Sequence, residues 1–251
     1  AVIVLVAACS APLEPGSGAE LADRTAGGPG TTTGTPTPDS GTATDGNESA
    51  FDPLGWENGY WYNATIAVDQ RDGLSAAELD AYVSRTMARI ELLRGKEFLR
   101  PVSVRTVSRE DHRRTVANWT NVTGDERAWN DQVWEALFVV GEDRDVTDEF
   151  ATLYQGNVLG YYDPKTEDLV IITDGSLTIS TYTLVHELVH ALQDQHFDIE
   201  RPRYRGATQD TQLATDGLVE GEAQYLTYRY LARCGTVWDL SLIHISEPTR
   251  L

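Results

Sequence analysis

The chain has 251 residues, of which 41% are hydrophobic, and this is enough for one medium-sized domain with a core. Acidic residues outnumber basic residues by 39 to 20, giving a formal net charge of -19, and no basic stripe is present that could bind the phosphates of a nucleic acid. Lys96 and Lys165 are the only lysines, and such an acidic, lysine-poor composition favours a halophilic protein whose surface stays hydrated in high salt.

The first nine residues form an apolar run that ends in Val6-Ala7-Ala8-Cys9, which has the form of a lipoprotein signal peptide with its lipobox. We expect cleavage before Cys9 and attachment of lipid to its thiol, so that the membrane is a partner through this anchor. The run has no initiator Met and no charged start, so the signal peptide is predicted to be truncated. Residues 10–50 are rich in Thr, Gly, Pro, Ser and Asp and are predicted to be a disordered tether.

An extracellular, lipid-anchored location at the cell surface follows from this arrangement. Asn-x-Ser/Thr sequons add to it, because they are typical of glycosylated surface proteins. The two cysteines, Cys9 and Cys234, are too few for a disulfide scaffold. The four sequons begin at Asn47, Asn63, Asn118 and Asn121.

The folded domain is predicted to occupy residues 51–239. Residues 240–251 are excluded from it, because they resemble the translation of a sequencing adapter. We therefore expect the natural domain to continue past about Asp239, so that its C-terminal part is truncated here. His244 lies in the excluded segment and is not a ligand candidate.

Local patterns predict helices and a hairpin in the first part of this domain. Ser75 has the form of a capping residue for a helix whose apolar residues recur at helical spacing until Gly95. A second helix is predicted over 127–140, and its wide apolar face indicates core packing. Residues 158–162 and 169–173 are strand-like runs around a turn-rich segment, and they predict a β-hairpin whose edge could bind an extended peptide.

The strongest chemical signal is the HExxH motif formed by His186, Glu187 and His190 in a helix predicted over 180–195. The two histidines are four residues apart, so one helix face presents both imidazoles to one metal ion. Glu187 follows His186 by one residue, about 100° around the helix, from where its carboxylate can reach a water on that ion. The motif predicts a metal site with Glu187 as its base.

Two schemes supply a third ligand. In the first, Glu220 on a second helix is the ligand, and Gly221 lets the two helices approach closely. In the second, His196 completes a three-histidine site, but a continuous helix would carry it about 280° around and about 15 Å along the axis from His186. We favour Glu220. The alternatives are Glu222, His196 and Asp216.

The Glu-Gly-Glu-Ala segment at 220–223 resembles the Glu-Gly-x-Ala helix that follows HExxH in the gluzincin class of zinc peptidases. With the segment 160–164 and the run 186–197, it also resembles a family of haloarchaeal surface lipoproteins, over about residues 157–230. The resemblance implies an α+β, zincin-like fold in which a small antiparallel hairpin or sheet packs on the HExxH helix and on a second helix that bears the glutamate.

That resemblance also implies an activity, namely a zinc metalloendopeptidase acting on a protein or peptide substrate. Zn2+ would be bound by His186, His190 and Glu220, and Glu187 would be the general base. Gln224, one turn after Glu220, is expected to hydrogen-bond a ligand imidazole. The oxyanion-stabilising residue is expected among four candidates, which are Tyr161, Tyr162, Tyr225 and His196.

Two other functions compete with a peptidase. One is a non-catalytic, zinc-binding surface glycoprotein that serves as a binding module, and the other is a zinc hydrolase acting on a non-peptide bond. The presence of Glu187 favours an enzyme, because a purely structural zinc site needs no base.

Overall fold

The computed structural model describes residues 53–119 and 123–238, and the predicted signal peptide, tether and adapter-derived tail lie outside them. The described residues form six α-helices and five strands, which confirms the α+β class. The helices are α1 (Ala76–Arg94), α2 (Arg109–Trp119), α3 (Asp125–Ala136), α4 (Val146–Asn157), α5 (Thr181–Phe197) and α6 (Gln209–Leu231), with a short 3-10 helix at Pro202–Tyr204. The strands are β1 (Trp56–Glu57), β2 (Tyr60–Trp61), β3 (Ser103–Ser108), β4 (Gly160–Asp163) and β5 (Asp168–Thr173).

The first helix begins and ends at the predicted signals. The backbone N–H of Glu78 donates to the Ser75 hydroxyl at 3.3 Å, and the backbone N–H of Ser75 donates to the Glu78 carboxylate at 3.0 Å. This reciprocal pair is a capping box, which satisfies donors that the first helical turn would otherwise leave free. Gly95 ends the helix with a φ of 70°, a left-handed conformation that glycine adopts without strain.

The middle of α1 is buried on all sides, including its charged residues. Arg85 and Arg89 are each only 1% exposed. Arg85 donates to the carbonyl of Ala64 at 3.2 Å, and Arg89 donates to the carbonyl of Tyr62 at 2.7 Å. The guanidinium of Arg89 also lies 4.8 Å from the ring centre of Trp238. These contacts offset part of the desolvation of the two guanidinium groups, since Nε and Nη2 of Arg85 have no partner among the described residues.

A three-stranded sheet in the order β3-β5-β4 lies beside the helices. β4 and β5 are antiparallel, with Tyr161 opposite Val170, which confirms the predicted hairpin. β3 runs parallel to β5, with Val104 opposite Leu169, and the sequence did not predict this pairing. Parallel strands need a crossover connection, which is here the stretch from α2 to α4. β4 is consequently the edge strand next to α5.

Gly160 lets β4 lie close to β5. A Cβ atom at this position would be 2.9 Å from the carbonyl oxygen of Val170 and 3.6 Å from a side-chain carbon of Thr183 in α5. Because Gly160 has no side chain, β4 can pack closely against both β5 and α5.

The prediction that the 127–140 helix packs into the core is wrong. None of the residues in α3 is buried, and Trp129 is 63% exposed. Phe138, just beyond the helix, is 95% exposed. Trp134 is half-buried and meets Phe150 of α4 edge-on, with 5.3 Å between ring centres. The core is formed instead by α1, the sheet, α5 and α6.

The helices α5 and α6 pack side by side, and each begins at a side-chain cap. The Ser180 hydroxyl accepts from the N–H of Thr183 at 3.1 Å, and Thr208 plays the same part in α6. The interpretation of Gly221 as the residue that permits close approach is wrong, because a Cβ there would meet nothing within 4 Å. Gly221 lies on the exposed side of α6, whereas Ala223 is the small residue buried in the core.

Two predicted sequons, at Asn63 and Asn118, lie on exposed residues, and those at Asn47 and Asn121 fall outside the described part. Within 53–119 and 123–238, none of the helices combines the length and apolarity needed to cross a bilayer.

Candidate metal centre

Three side chains converge between α5 and α6. The Nε2 atoms of His186 and His190 are 3.2 Å apart, and Glu220 Oε2 lies 3.1 Å from the first and 3.6 Å from the second. All three side chains are largely buried, the most exposed being Glu220 at 20%. Their ligand atoms lie within 4.8 Å of one another, so the group could hold a metal ion. The helix supplies this geometry because residues four apart lie on one face.

The electrostatics of this group suit a cation. Burial would raise the pKa of Glu220, but hydrogen bonds with His186 and His190 lower it to about 2. Burial lowers the pKa of His190, yet the hydrogen bond to Glu220 and the charges of Glu187 and Glu220 raise it overall. Glu220 is therefore held as a carboxylate beside the two imidazoles.

Glu187 lies on the same helix and is 6% exposed. Its Oε2 accepts a hydrogen bond of 2.9 Å from the backbone N–H of Tyr162 in the edge strand β4. Burial raises the pKa of Glu187, against the lowering influence of the two imidazoles. Among the described residues, none donates to its other oxygen, Oε1, which leaves that atom available to a water or a substrate proton.

The other candidates for the third ligand lie elsewhere. His196 Nε2 is 2.8 Å from the carbonyl oxygen of Glu97, which only accepts, so the ring donates there. Glu222 forms an ion pair of 2.6 Å with Arg94 of α1. Asp216 accepts a hydrogen bond of 2.7 Å from the side chain of Gln212. None of the three belongs to the group that the structure brings together.

The two imidazoles have different neighbours. His190 Nδ1 lies 2.9 Å from Oε1 of Gln193, whereas His186 Nδ1 is buried without a partner among the described residues. The expectation that Gln224 binds an imidazole is wrong, because its Oε1 accepts from the hydroxyl of Tyr182. That tyrosine stacks on His186 at 12° between the ring planes, so Gln224 contacts a neighbour of the ligand.

The hydroxyls of two predicted oxyanion candidates are used in other contacts. The Tyr162 hydroxyl donates to Asp194 Oδ2 at 3.0 Å, in a buried pair. Tyr225 is 55% exposed, and its hydroxyl accepts from Arg229 at 3.0 Å. Neither phenol is directed to the three ligands by these bonds.

Tyr154, on α4, was not singled out by the sequence analysis, and its pKa responds to the charge of one proposed ligand. Burial raises its pKa, and the negative charge of Glu220 raises it further. Tyr161, the third tyrosine among the predicted oxyanion candidates, packs beside His112 and interacts with Arg105. Tyr154 occurs in a helix with no motif, so no local signal marked it. Gln193 was detectable, because it stands three residues after His190 on the same helix.

Comparisons of the chain with protein-family models, with curated proteins and with solved structures find no match.

Proposed function

We propose that this chain is a zinc metallopeptidase with a zincin-like fold, anchored to the cell surface through Cys9. The observation that carries the proposal is the convergence of His186, His190 and Glu220, with Glu187 on the same helix. Two imidazole nitrogens and one carboxylate oxygen, with a fourth position left open, are the donor set of catalytic zinc sites.

The ligand separations are compatible with zinc. Two atoms that each lie about 2.0–2.1 Å from a tetrahedral zinc ion are about 3.3–3.4 Å apart. The three separations of 3.1, 3.2 and 3.6 Å lie on either side of that value. A calcium ion would instead take six to eight oxygen ligands, which this group does not offer.

A bound zinc ion would polarise the scissile carbonyl and make the attacking water more acidic. Glu187 would accept the proton of that water through Oε1 and pass it to the leaving amine. The backbone N–H of Tyr162 holds Oε2 of Glu187 at 2.9 Å, so the base is fixed in orientation. Tyr154, whose pKa is raised by the negative charge of Glu220, is our candidate for stabilising the oxyanion.

The edge strand β4 supports a peptide as the substrate. Among the described strands β4 pairs only with β5, and the backbone N–H of Tyr162 in this strand donates to Glu187. A peptide lying along β4 would pass beside the base, without pairing with that N–H. This alignment favours cleavage within an extended chain.

The test is hydrolysis of casein in high salt by the protein, with bound zinc measured by mass spectrometry. Glu187→Gln should keep zinc and lose about a hundredfold to ten-thousandfold in rate. Glu142→Gln changes an exposed carboxylate on the loop after α3 and should match the wild type. A zinc-loaded wild type that cleaves neither casein nor peptides would overturn the peptidase assignment.

A further inference from the structure

The side chain of Gln193 lies between the two helices that carry the metal ligands. It is 5% exposed and stands one turn after His190 on α5. Its Oε1 is 2.9 Å from His190 Nδ1. Its Nε2 is 3.0 Å from the carbonyl oxygen of Val219 and 3.0 Å from Oε2 of Glu222, both on α6.

These partners determine which way the amide of Gln193 is turned. A backbone carbonyl and a carboxylate can only accept, so both protons of the amide nitrogen must point to Val219 and Glu222. The opposite orientation would place an oxygen against two acceptors. Oε1 therefore faces His190, and because Oε1 only accepts, Nδ1 of His190 carries the proton. With a proton on Nδ1, the ring nitrogen of His190 that can bind a metal ion is Nε2, which faces His186 and Glu220.

Gln193 also connects His190 to the position of the third ligand. Val219 immediately precedes Glu220, so the hydrogen bond to its carbonyl fixes the backbone next to that ligand. Glu222 is in turn fixed by its ion pair of 2.6 Å with Arg94 of α1. One buried amide thus sets the ring of a ligand on α5 and the backbone beside a ligand on α6.

We propose that Gln193 is a positioning residue of the metal site, which holds His190 in the tautomer that binds metal through Nε2 and fixes α6 at Glu220. This role rests on the proposed zinc site but requires no particular substrate. His186 has no equivalent acceptor at Nδ1 among the described residues, so Gln193 is the residue there that orients a ligand imidazole through Nδ1. Partners of this kind raise metal affinity by about 10-fold to 100-fold.

The matched control is Gln195, two residues further along the same helix. Its amide also makes hydrogen bonds to backbone groups, accepting from Leu99 at 2.7 Å and donating to Arg100 at 2.9 Å, but it does not contact the ligands. Gln193→Met and Gln195→Met therefore remove comparable bonds from one helix, with and without contact to His190.

The experiment measures the zinc dissociation constant by competition with a chromophoric chelator, together with the ring N–H signal of His190 in nitrogen-15 NMR of the zinc-loaded protein. Gln193→Met should weaken zinc binding about 10-fold to 100-fold and expose the Nδ1 proton to rapid exchange, whereas Gln195→Met should change neither. Gln193→Glu keeps an acceptor for Nδ1 but sets its second oxygen against the Val219 carbonyl and the Glu222 carboxylate, so it should retain the protected signal and lose stability. If Gln193→Met does not fold, the protected signal of the wild type still tests the role.

Equal zinc affinity in wild type and Gln193→Met would overturn the role of Gln193, as would an unprotected His190 proton in the wild type. A wild type that binds no zinc would overturn the metal site itself. A wild type that binds zinc but cleaves no peptide would overturn only the proposed activity, and the affinities would still decide the role of Gln193.

Discussion

Replacement of Gly160 by alanine would test how closely β4 must lie against β5. The new Cβ would be 2.9 Å from the Val170 carbonyl oxygen, whereas ordinary contact begins at 3.4 Å, so the strands would have to separate by the difference of 0.5 Å. The obstacle is a backbone atom in a paired strand, which cannot turn away as a side chain could. Overpacking of this kind lowers the free energy of unfolding by about 1–3 kcal/mol. Urea denaturation followed by circular dichroism should show a loss of this size.

Gly221→Ala is the matched control, because its Cβ would meet nothing within 4 Å and the residue lies inside α6. Alanine forms helix better than glycine, so this variant should gain about 1 kcal/mol. The same substitution is thus expected to have opposite signs at the two sites. A Gly160→Ala protein as stable as the wild type would refute the close packing inferred for β4.

Gly160→Ala also tests the contact between β4 and Glu187. Tyr162 lies two residues after Gly160 and holds Glu187 through its backbone N–H. A shift of β4 should lengthen that bond, so hydrolysis by Gly160→Ala should fall while its zinc content stays at the wild-type level.

Three further predictions concern the ligands, the oxyanion and the first helix. At a free zinc concentration one hundred times the dissociation constant, zinc should stabilise the wild type by about 2.7 kcal/mol. Thermal denaturation should show that this gain is lost in Glu220→Ala. The gain should be kept in His196→Ala, because His196 donates to the Glu97 carbonyl and is not a ligand. Tyr154→Phe should lower the rate of casein hydrolysis about a hundredfold or more with unchanged zinc content, and a wild-type rate would exclude it as the oxyanion donor. Ser75→Ala removes the capping box of α1 and should cost about 1 kcal/mol in urea denaturation, and an unchanged midpoint would contradict that contribution.

Features set by local geometry could be predicted from the sequence. Ser75 and Gly95 mark the ends of α1 because capping depends on a few adjacent residues. The spacing of His186 and His190 requires a common helix face, so their convergence follows from helical geometry alone. The grouping with Glu220 was predicted by resemblance, and the structure brings that residue to both imidazoles.

Features that depend on distant parts of the chain could not be predicted. The parallel pairing of β3 with β5 joins segments separated by three helices, and no local pattern encodes it. The apolar face of α3 indicates burial by its spacing, yet no neighbouring element covers Trp129 in the described residues. Gln224 stands one turn after Glu220, as a residue that hydrogen-bonds a ligand imidazole would, but its side chain accepts from the Tyr182 hydroxyl instead. Spacing gives the face of a helix and leaves open what lies opposite.

All three proposed ligands lie on α5 and α6, which are consecutive helices packed against each other. Closing the loop between them costs little chain entropy, and contacts of this local kind form early in folding. The pairing of β3 with β5 instead closes a longer stretch of chain that contains three helices. We therefore expect zinc to accelerate refolding, since it would stabilise contacts already formed in the transition state, and stopped-flow refolding with and without zinc would measure this. An effect on the unfolding rate alone would place assembly of the site after the rate-limiting step.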